Sequence, residues 1–274
     1  MAAGQKLFRS GASRPPSVVV VALDLAADLD FAHSLADAAD AFTLPHFTAR
    51  SFTVSLKSNQ TEVTEIDRGC ETIIMDMVRS QRPNHAWYGE EHGTGGNTDA
   101  EWTWVIDPID GTSNFIRGVP VWATLIALVH RDLGPVVGVV SAPAMQTRWW
   151  GVIEGGAYCN GHPIHVSDVS DISEASLSIT ENAAWREAGY GDWIKNLKRS
   201  VKRVRGYGDF WQHMLVAQGA VDIAVDAIGL EPYDIAALIP VVHAAGGKTV
   251  DRSGETNWRG DTAITTNNCL SIDL

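Results

Sequence analysis

Cysteine is scarce in this chain, and the scarcity excludes several architectures at once. Cys70, Cys159 and Cys269 are odd in number, far apart and never arranged as C-x-x-C. That argues against a disulfide framework and a thiolate zinc site, and fits a reducing, cytoplasmic compartment. Positive charge is short as well: 21 Lys and Arg face 33 Asp and Glu, for a formal net charge of −12. Nonspecific attachment to nucleic acid or to an anionic membrane is therefore set aside as the main activity. Long apolar runs are missing, and none approaches the roughly 20 residues of a membrane span. Residues 18–23 follow Lys6, Arg9 and Arg14 in the manner of a signal peptide. The run is too short, Asp24 ends it, and no small-residue cleavage site follows, so residues 1–23 read as a disordered tail. Also absent are a G-x-x-x-x-G-K-[ST] loop, a G-x-S-x-G elbow and a G-x-G-x-x-G turn. P-loop, serine-hydrolase and dinucleotide-binding chemistries go with them.

What is present is an ordinary globular composition over 274 residues, 45% hydrophobic and 20% charged. That length supports a sizeable core in one large domain or in two closely packed halves. Leu25, Leu29, Ala32, Leu35, Ala36, Ala39 and Phe42 recur at spacings of three and four, predicting an amphipathic helix over 24–49. A short strand over 52–56 leads into a polar loop, 57–62. Thr64 then caps a helix with Ile66, Cys70, Ile73, Ile74, Met77 and Val78 on one side. Residues 85–88 read as a strand, and 89–96, acidic then glycine-rich, as a mobile loop. Segments 121–129, 136–140 and 148–153 predict consecutive antiparallel strands, and Asn160-Gly161 marks a hairpin. Further on, strands over 175–180, 201–205, 221–225, 248–250 and 263–266 alternate with helices over 185–200, 209–218 and 235–245. Residues 229–234 read as a loop. The expectation is an α/β (α+β) protein with an N-terminal half, 24–165, and a C-terminal half, 166–274, forming one compact catalytic unit.

Chemistry concentrates in residues 102–115. An apolar run stops at Asp107 and Asp110, three residues apart, with Pro108 between them and Gly111-Thr112-Ser113 following. Pro108 biases Asp107 toward extended backbone, and Gly111 permits a sharp turn into a short helix. Carboxylates at a strand end, ahead of free helix-start amides, offer a hard-cation site and an anion site at one point. An acidic turn that merely caps a helix is the other reading of the same residues. Asp67, at the third position of its helix, either completes a capping box or points into a neighbouring site. Asp234 is either a helix cap or a ligand. With Glu90 these make five candidate ligands, Asp67, Glu90, Asp107, Asp110 and Asp234, with no His or Cys among them. Such a set favours Mg²⁺ or Mn²⁺ over Zn²⁺.

Glu90-Glu91, the run W-V-I-D-P-I-D-G-T-S-N-F at 104–115, P-Y-D-I-A-A at 232–237 and A-G-G at 245–247 resemble the motifs of the inositol monophosphatase superfamily. Residues 57–67 resemble its lysine loop and T-x-x-D element, and 155–167 its G-A-x-x-N-G hairpin; the likeness spans 24–268. It implies a layered αβαβα sandwich of the inositol monophosphatase/fructose-1,6-bisphosphatase type. It also implies a Mg²⁺-dependent phosphomonoester hydrolase with two or three Mg²⁺ per site, Mn²⁺ being a possible substitute, that forms a homodimer. By the same resemblance Glu90, Asp107 and the Ile109 carbonyl hold one cation. Asp107, Asp110 and Asp234 hold a second, clamping attacking and leaving oxygens. Thr112, Asp67 and Glu90 are the implied catalytic set, Thr112 with Asp67 orienting and deprotonating water, and the Gly111 and Thr112 amides hold phosphate. The chain departs from the family pattern with Glu62 where Pro is common, Ile66 where Ala is common and Tyr233 for Trp. The acid that grips inositol hydroxyls falls at Ala227, beside Asp226.

Residues 229–240, with R-G-Y-G-D at 205–209, R-G-V-P-V-W at 117–122 and R-W-W at 148–150, resemble the histidinol-phosphate phosphatase branch. The implied substrate, L-histidinol phosphate of histidine biosynthesis, carries an ammonium and an imidazole. Asp209 and Glu231 are the candidates for that cationic end, with Arg205 beside them. Their plain readings are a helix cap, an exposed loop acid and a surface ion pair. Inositol 1-phosphate or another small sugar phosphate is the alternative substrate. Some superfamily members instead serve transcription or ribosome-assembly machinery as binding partners, a role the complete ligand set and acidic charge argue against.

Overall fold

The computed structural model describes residues 24–57, 61–97 and 99–272, so the reading of 1–23 and part of the 57–62 loop lie outside it. The first helix, α1 (Ala26–Ala49), buries Phe31, Ala32, Leu35, Ala36 and Ala39 as the spacing requires. It stops at Arg50, whose left-handed φ of 54° lets its amide bond back to the last carbonyls. A two-stranded hairpin follows, β1 (Val54–Leu56) and β2 (Glu62–Thr64), then α2 (Glu65–Gln81), capped by Thr64.

The main sheet is built from β3 (Ala86–Gly89), β4 (Gly93–Gly96) and β5 (Trp102–Asp110). After a short helix, α3 (Thr112–Arg117), it continues through β6 (Ala123–His130), β7 (Gly134–Ala142) and β8 (Thr147–Val152). The hairpin β9 (Gly156–Cys159) and β10 (His162–Pro163) completes it. The eight strands lie in the order β10-β9-β8-β7-β6-β5-β3-β4, antiparallel except where β3 runs parallel to β5. A second sheet has five strands. They come from β11 (Ser176–Ile179), β12 (Arg203–Arg205), β13 (Ile223–Val225), β14 (Lys248–Val250) and β15 (Ile264–Thr266), ordered β12-β11-β13-β15-β14. Between them in sequence come α4 (Ala183–Glu187), α5 (Gly191–Ser200), α6 (Asp209–Ala217), α7 (Pro232–Ile235) and α8 (Leu238–Ala244).

Three cores stack these elements. α1 and α2 cover one face of the large sheet with Phe31, Leu35, Ile74 and Val78 against Trp104, Ile106 and Ile126. On the other face Phe210 and Met214 of α6, and Val241 and Val242 of α8, meet Leu125, Val140 and Trp149. α6 and α8 also touch the small sheet, whose far face takes Trp185, Ile194 and Leu197 of α4 and α5. The result is an αβαβα layering. Each fully buried Leu, Ile or Val contributes ~1.5–3 kcal/mol, so these interfaces carry the bulk of the fold's stability. Among the described residues no helix is long and apolar enough to cross a membrane.

Three local expectations are corrected. Residues 89–96 are not a mobile loop throughout: Gly93–Gly96 forms β4 against β3, its glycines leaving room for the Trp87 indole, which a Cβ at Gly95 would meet at 2.4 Å. The helix expected over 185–200 is two helices, because Gly189 takes a φ of +92°. The stretch 229–234, read as a loop, already enters α7 at Pro232, where the missing N–H costs nothing.

Candidate active site

β5 does not end at Asp107. Its ladder to β6 pairs Asp107 with Leu125 and then Asp110 with Ala123, so one extra residue is accommodated on β5 as a bulge around Pro108. The bulge turns two acids of one strand to the same place. Asp107 is 2% exposed, and its Oδ1 accepts the Ile109 amide at 2.9 Å. Asp110 Oδ2 accepts the Phe210 amide of α6 at 2.7 Å. The third acid arrives from the other end of the chain. Asp234 is the third residue of α7, its Oδ2 accepting the Glu231 amide at 2.7 Å. One carboxylate oxygen from each of Asp107, Asp110 and Asp234 lies within 4.8 Å of the others.

Like charges buried together resist ionisation. Burial first, then the negative charge of Glu90, Asp110 and Asp234, holds the Asp107 carboxyl well above the usual carboxylate range. Asp110 is raised in the same sense by burial and by Asp209 and Asp234. Asp234 is pushed to about 7 by burial and then by Glu90 and Asp226. Glu90 is raised by burial even though Lys57 Nζ stands 2.7 Å from its Oε1. Lys57 also reaches Glu91 Oε1 at 2.5 Å. Burial opposes the Lys57 ammonium, but these two glutamates outweigh it and raise its pKa. A single ammonium leaves this cluster strongly uncompensated. Oxygen donors at that mutual spacing, Asp107 buried and Asp110 and Asp234 half-buried, and short of positive charge, suit a hard divalent cation.

Asp67 takes both roles open to it. Its Oδ2 accepts the Thr64 amide at 2.9 Å and the Thr64 hydroxyl at 2.5 Å, closing the capping box of α2. Its Oδ1 accepts the Thr112 hydroxyl at 3.0 Å. Burial raises the Asp67 pKa, with the bonds from Thr64 and Thr112 working against it. Thr112 opens α3 after Gly111, which stands at φ +84°, where a Cβ would lie 3.0 Å from the Val121 carbonyl. Thr112, Glu90 and Asp234 face a cavity of about 770 Å³ whose wall also includes Lys57, Glu231 and Tyr233.

The substrate candidates are placed unequally. Glu231 lines the cavity. Asp209 sits behind Gly111 at a left-handed φ of 47°, its Oδ2 accepting from Asn114 Nδ2 at 2.9 Å. Burial and then Asp226 push its pKa up to about 6. Arg205 is exposed on the edge strand β12, donates to the Val204 carbonyl at 2.7 Å and does not line the cavity. Neighbouring the bare Ala227, Asp226 is buried and accepts the Ala227 amide at 2.7 Å, with His213 Nε2 at 3.2 Å. Asn114, His213 and the buried Glu71 escaped the sequence reading. Asn114 lies inside the motif run, yet its partner is 95 residues away, and no local spacing encodes that.

The Inositol monophosphatase family pattern matches residues 24–270. A histidinol-phosphatase of Streptomyces coelicolor is 43% identical over 255 residues, covering 90% of this chain and 95% of that protein. One from Mycobacterium tuberculosis is 42% identical over 252 residues, covering 90% and 96%. The solved structure of an IMPase from Thermotoga maritima superposes with a TM-score of 0.78 at 31% identity, covering 89% of this chain and 93% of that one.

Proposed function

We propose, from the premise that the chain belongs to the inositol monophosphatase family, that it hydrolyses L-histidinol phosphate to L-histidinol and phosphate. The observation that carries the reaction type is the meeting of the Asp107, Asp110 and Asp234 carboxylates beside the Thr112–Asp67 pair. The all-oxygen donor set supports Mg²⁺ as the cation, with Mn²⁺ also suited, held by Asp107, Asp110, Asp234, Glu90 and the Ile109 carbonyl. Bound there, it would neutralise phosphoryl oxygens and acidify the attacking water.

The chain's own groups do the rest. Thr112 Oγ1, donating to Asp67 Oδ1, is free to accept from a water and so orient it toward phosphorus. As that water attacks phosphorus, its proton passes to Thr112 Oγ1 while the hydroxyl proton moves to Asp67 Oδ1; the ester P–O bond breaks, and the departing histidinol oxygen takes a proton from solvent. Burial makes Asp67 a better acceptor than an exposed carboxylate. Gly111 and Thr112, at the open first turn of α3, offer amides to the phosphate. Phosphoryl transfer asks for positioning and charge neutralisation more than for a protein nucleophile. Because the acids come from both 24–165 and 166–274, we infer that the two halves work as one catalytic unit.

The choice of ester rests on charge. Histidinol phosphate presents an ammonium and an imidazole, and Glu231 on the cavity wall offers a carboxylate to them. Asp209, held behind Gly111, adds negative potential on that side. The likeness to two histidinol-phosphatases points the same way. Phosphate release with Mg²⁺ and purified protein tests the reading, with histidinol phosphate and inositol 1-phosphate compared by kcat/KM. Histidinol phosphate is expected to be the faster; a higher kcat/KM for inositol 1-phosphate overturns the substrate assignment.

A further inference from the structure

Glu71 is fully buried on α2, one helical turn beyond Asp67, and takes no part in the chemistry described above. We propose that it is a positioning residue that sets the cation affinity of the site by fixing the turn carrying Glu90; this rests on the metal reading given under Proposed function. Its Oε2 accepts the Glu91 amide at 2.7 Å. Its Oε1 accepts the His92 amide at 2.8 Å and faces His92 Nδ1 at 3.1 Å. The backbone between β3 and β4 therefore wraps around one carboxylate. Gly89 makes the wrapping possible, because a Cβ there would stand 2.2 Å from Glu71 Oε1 and 2.4 Å from its Cδ.

A buried carboxylate needs those amides, and the amides need an acceptor once they are turned inward. Each holds the other in place. The turn is fixed on its far side by the Glu90 amide, which donates to the Ile106 carbonyl of β5 at 3.2 Å, next to Asp107. Glu90 is thus pinned between two inner supports, with its side chain aimed at Lys57 and the acid cluster. Glu71 spends its own oxygens on the turn, so it acts through Glu90 and is not itself a ligand.

Glu71→Gln keeps the shape but replaces one acceptor with an amide that faces a donor. Mn²⁺ titration calorimetry without substrate, on wild type, Glu71→Gln, Gly89→Ala, His92→Ala and Asp107→Asn, tests the proposal. Glu71→Gln should weaken Mn²⁺ binding about 10- to 100-fold, as loss of a group that orients a ligand does. Its kcat should return toward the wild-type value at saturating cation, with KM for the phosphate ester unchanged. Gly89→Ala, which presses on the same carboxylate from the other side, should reproduce that shift. His92→Ala retains both amide bonds and should bind as wild type does. Wild-type affinity in Glu71→Gln and Gly89→Ala overturns the proposal, as does a loss of kcat that saturating cation does not recover. Equal Mn²⁺ binding by wild type and Asp107→Asn would instead sink the metal reading beneath it.

Discussion

Thr112 has one hydroxyl hydrogen and two acceptors at 3.0 Å, Asp67 Oδ1 and the Ile109 carbonyl. Only while it serves Asp67 does it complete the proposed proton path, so the charge on Asp67 decides which bond forms. Thr112→Ala and Asp67→Asn should each lower kcat by about 10²- to 10⁴-fold, the range of a lost general base. Because the two act as one unit, the double variant should be no worse than the poorer single one in steady-state assays. Additive losses would show that they work separately. Asp67 also shows how much of the site could be read in advance. Its spacing from Thr64 pointed to the capping box, and the acid-rich motifs pointed to Asp107, Asp110 and Asp234, which do meet, because each motif is written in contiguous residues. That one carboxylate serves the cap with Oδ2 and Thr112 with Oδ1 depends on α3 packing against β2, which brings Thr112 to Asp67 across 45 residues of chain.

Elements, too, were legible where a period was unbroken. β6 is buried along its whole length, so it reads as a continuous apolar run, as a strand covered on both faces must. The helix break at Gly189 and the strand at 93–96 were missed because glycine carries no period of its own. Glycine is also what lets α8 lie on the large sheet. A Cβ at Gly138 would stand 2.2 Å from the Ala237 carbonyl, and one at Gly151 would stand 2.5 Å from the Pro240 carbonyl. Gly138→Ala and Gly151→Ala should therefore destabilise by about 1–3 kcal/mol each, the range of overpacking, measured by urea unfolding. Since Asp234 rides on the helix just before α8, kcat/KM should fall along with stability. An unchanged urea midpoint would refute the close approach.

For the molecule as a whole, the acid cluster couples stability to pH and to cations. Asp234 at about 7 and Asp209 at about 6 lie above the ordinary carboxylate value of 3.8. The folded state thus keeps protons that the unfolded chain has released, and stability falls as pH rises through these values. His33, His85 and His243 are shifted downward by burial and act in the opposite sense, raising stability with pH, but only up to about 6.5. Above that only the carboxylate effect remains. Between pH 6.5 and 8 the Tm in EDTA should fall, and saturating Mg²⁺ should raise Tm more at pH 8 than at pH 6.5 in thermal scans. A Tm in EDTA that rises over this window would contradict the crowding of the acids. The two-sheet layering has one more consequence, for the growing polypeptide. A ribosome releases Asp107 and Asp110 long before Asp234, so a nascent chain holds two of the three acids and no finished site. The acid cluster is complete only once α7 and α8 have packed against the large sheet, so the proposed hydrolysis waits for the C-terminal half.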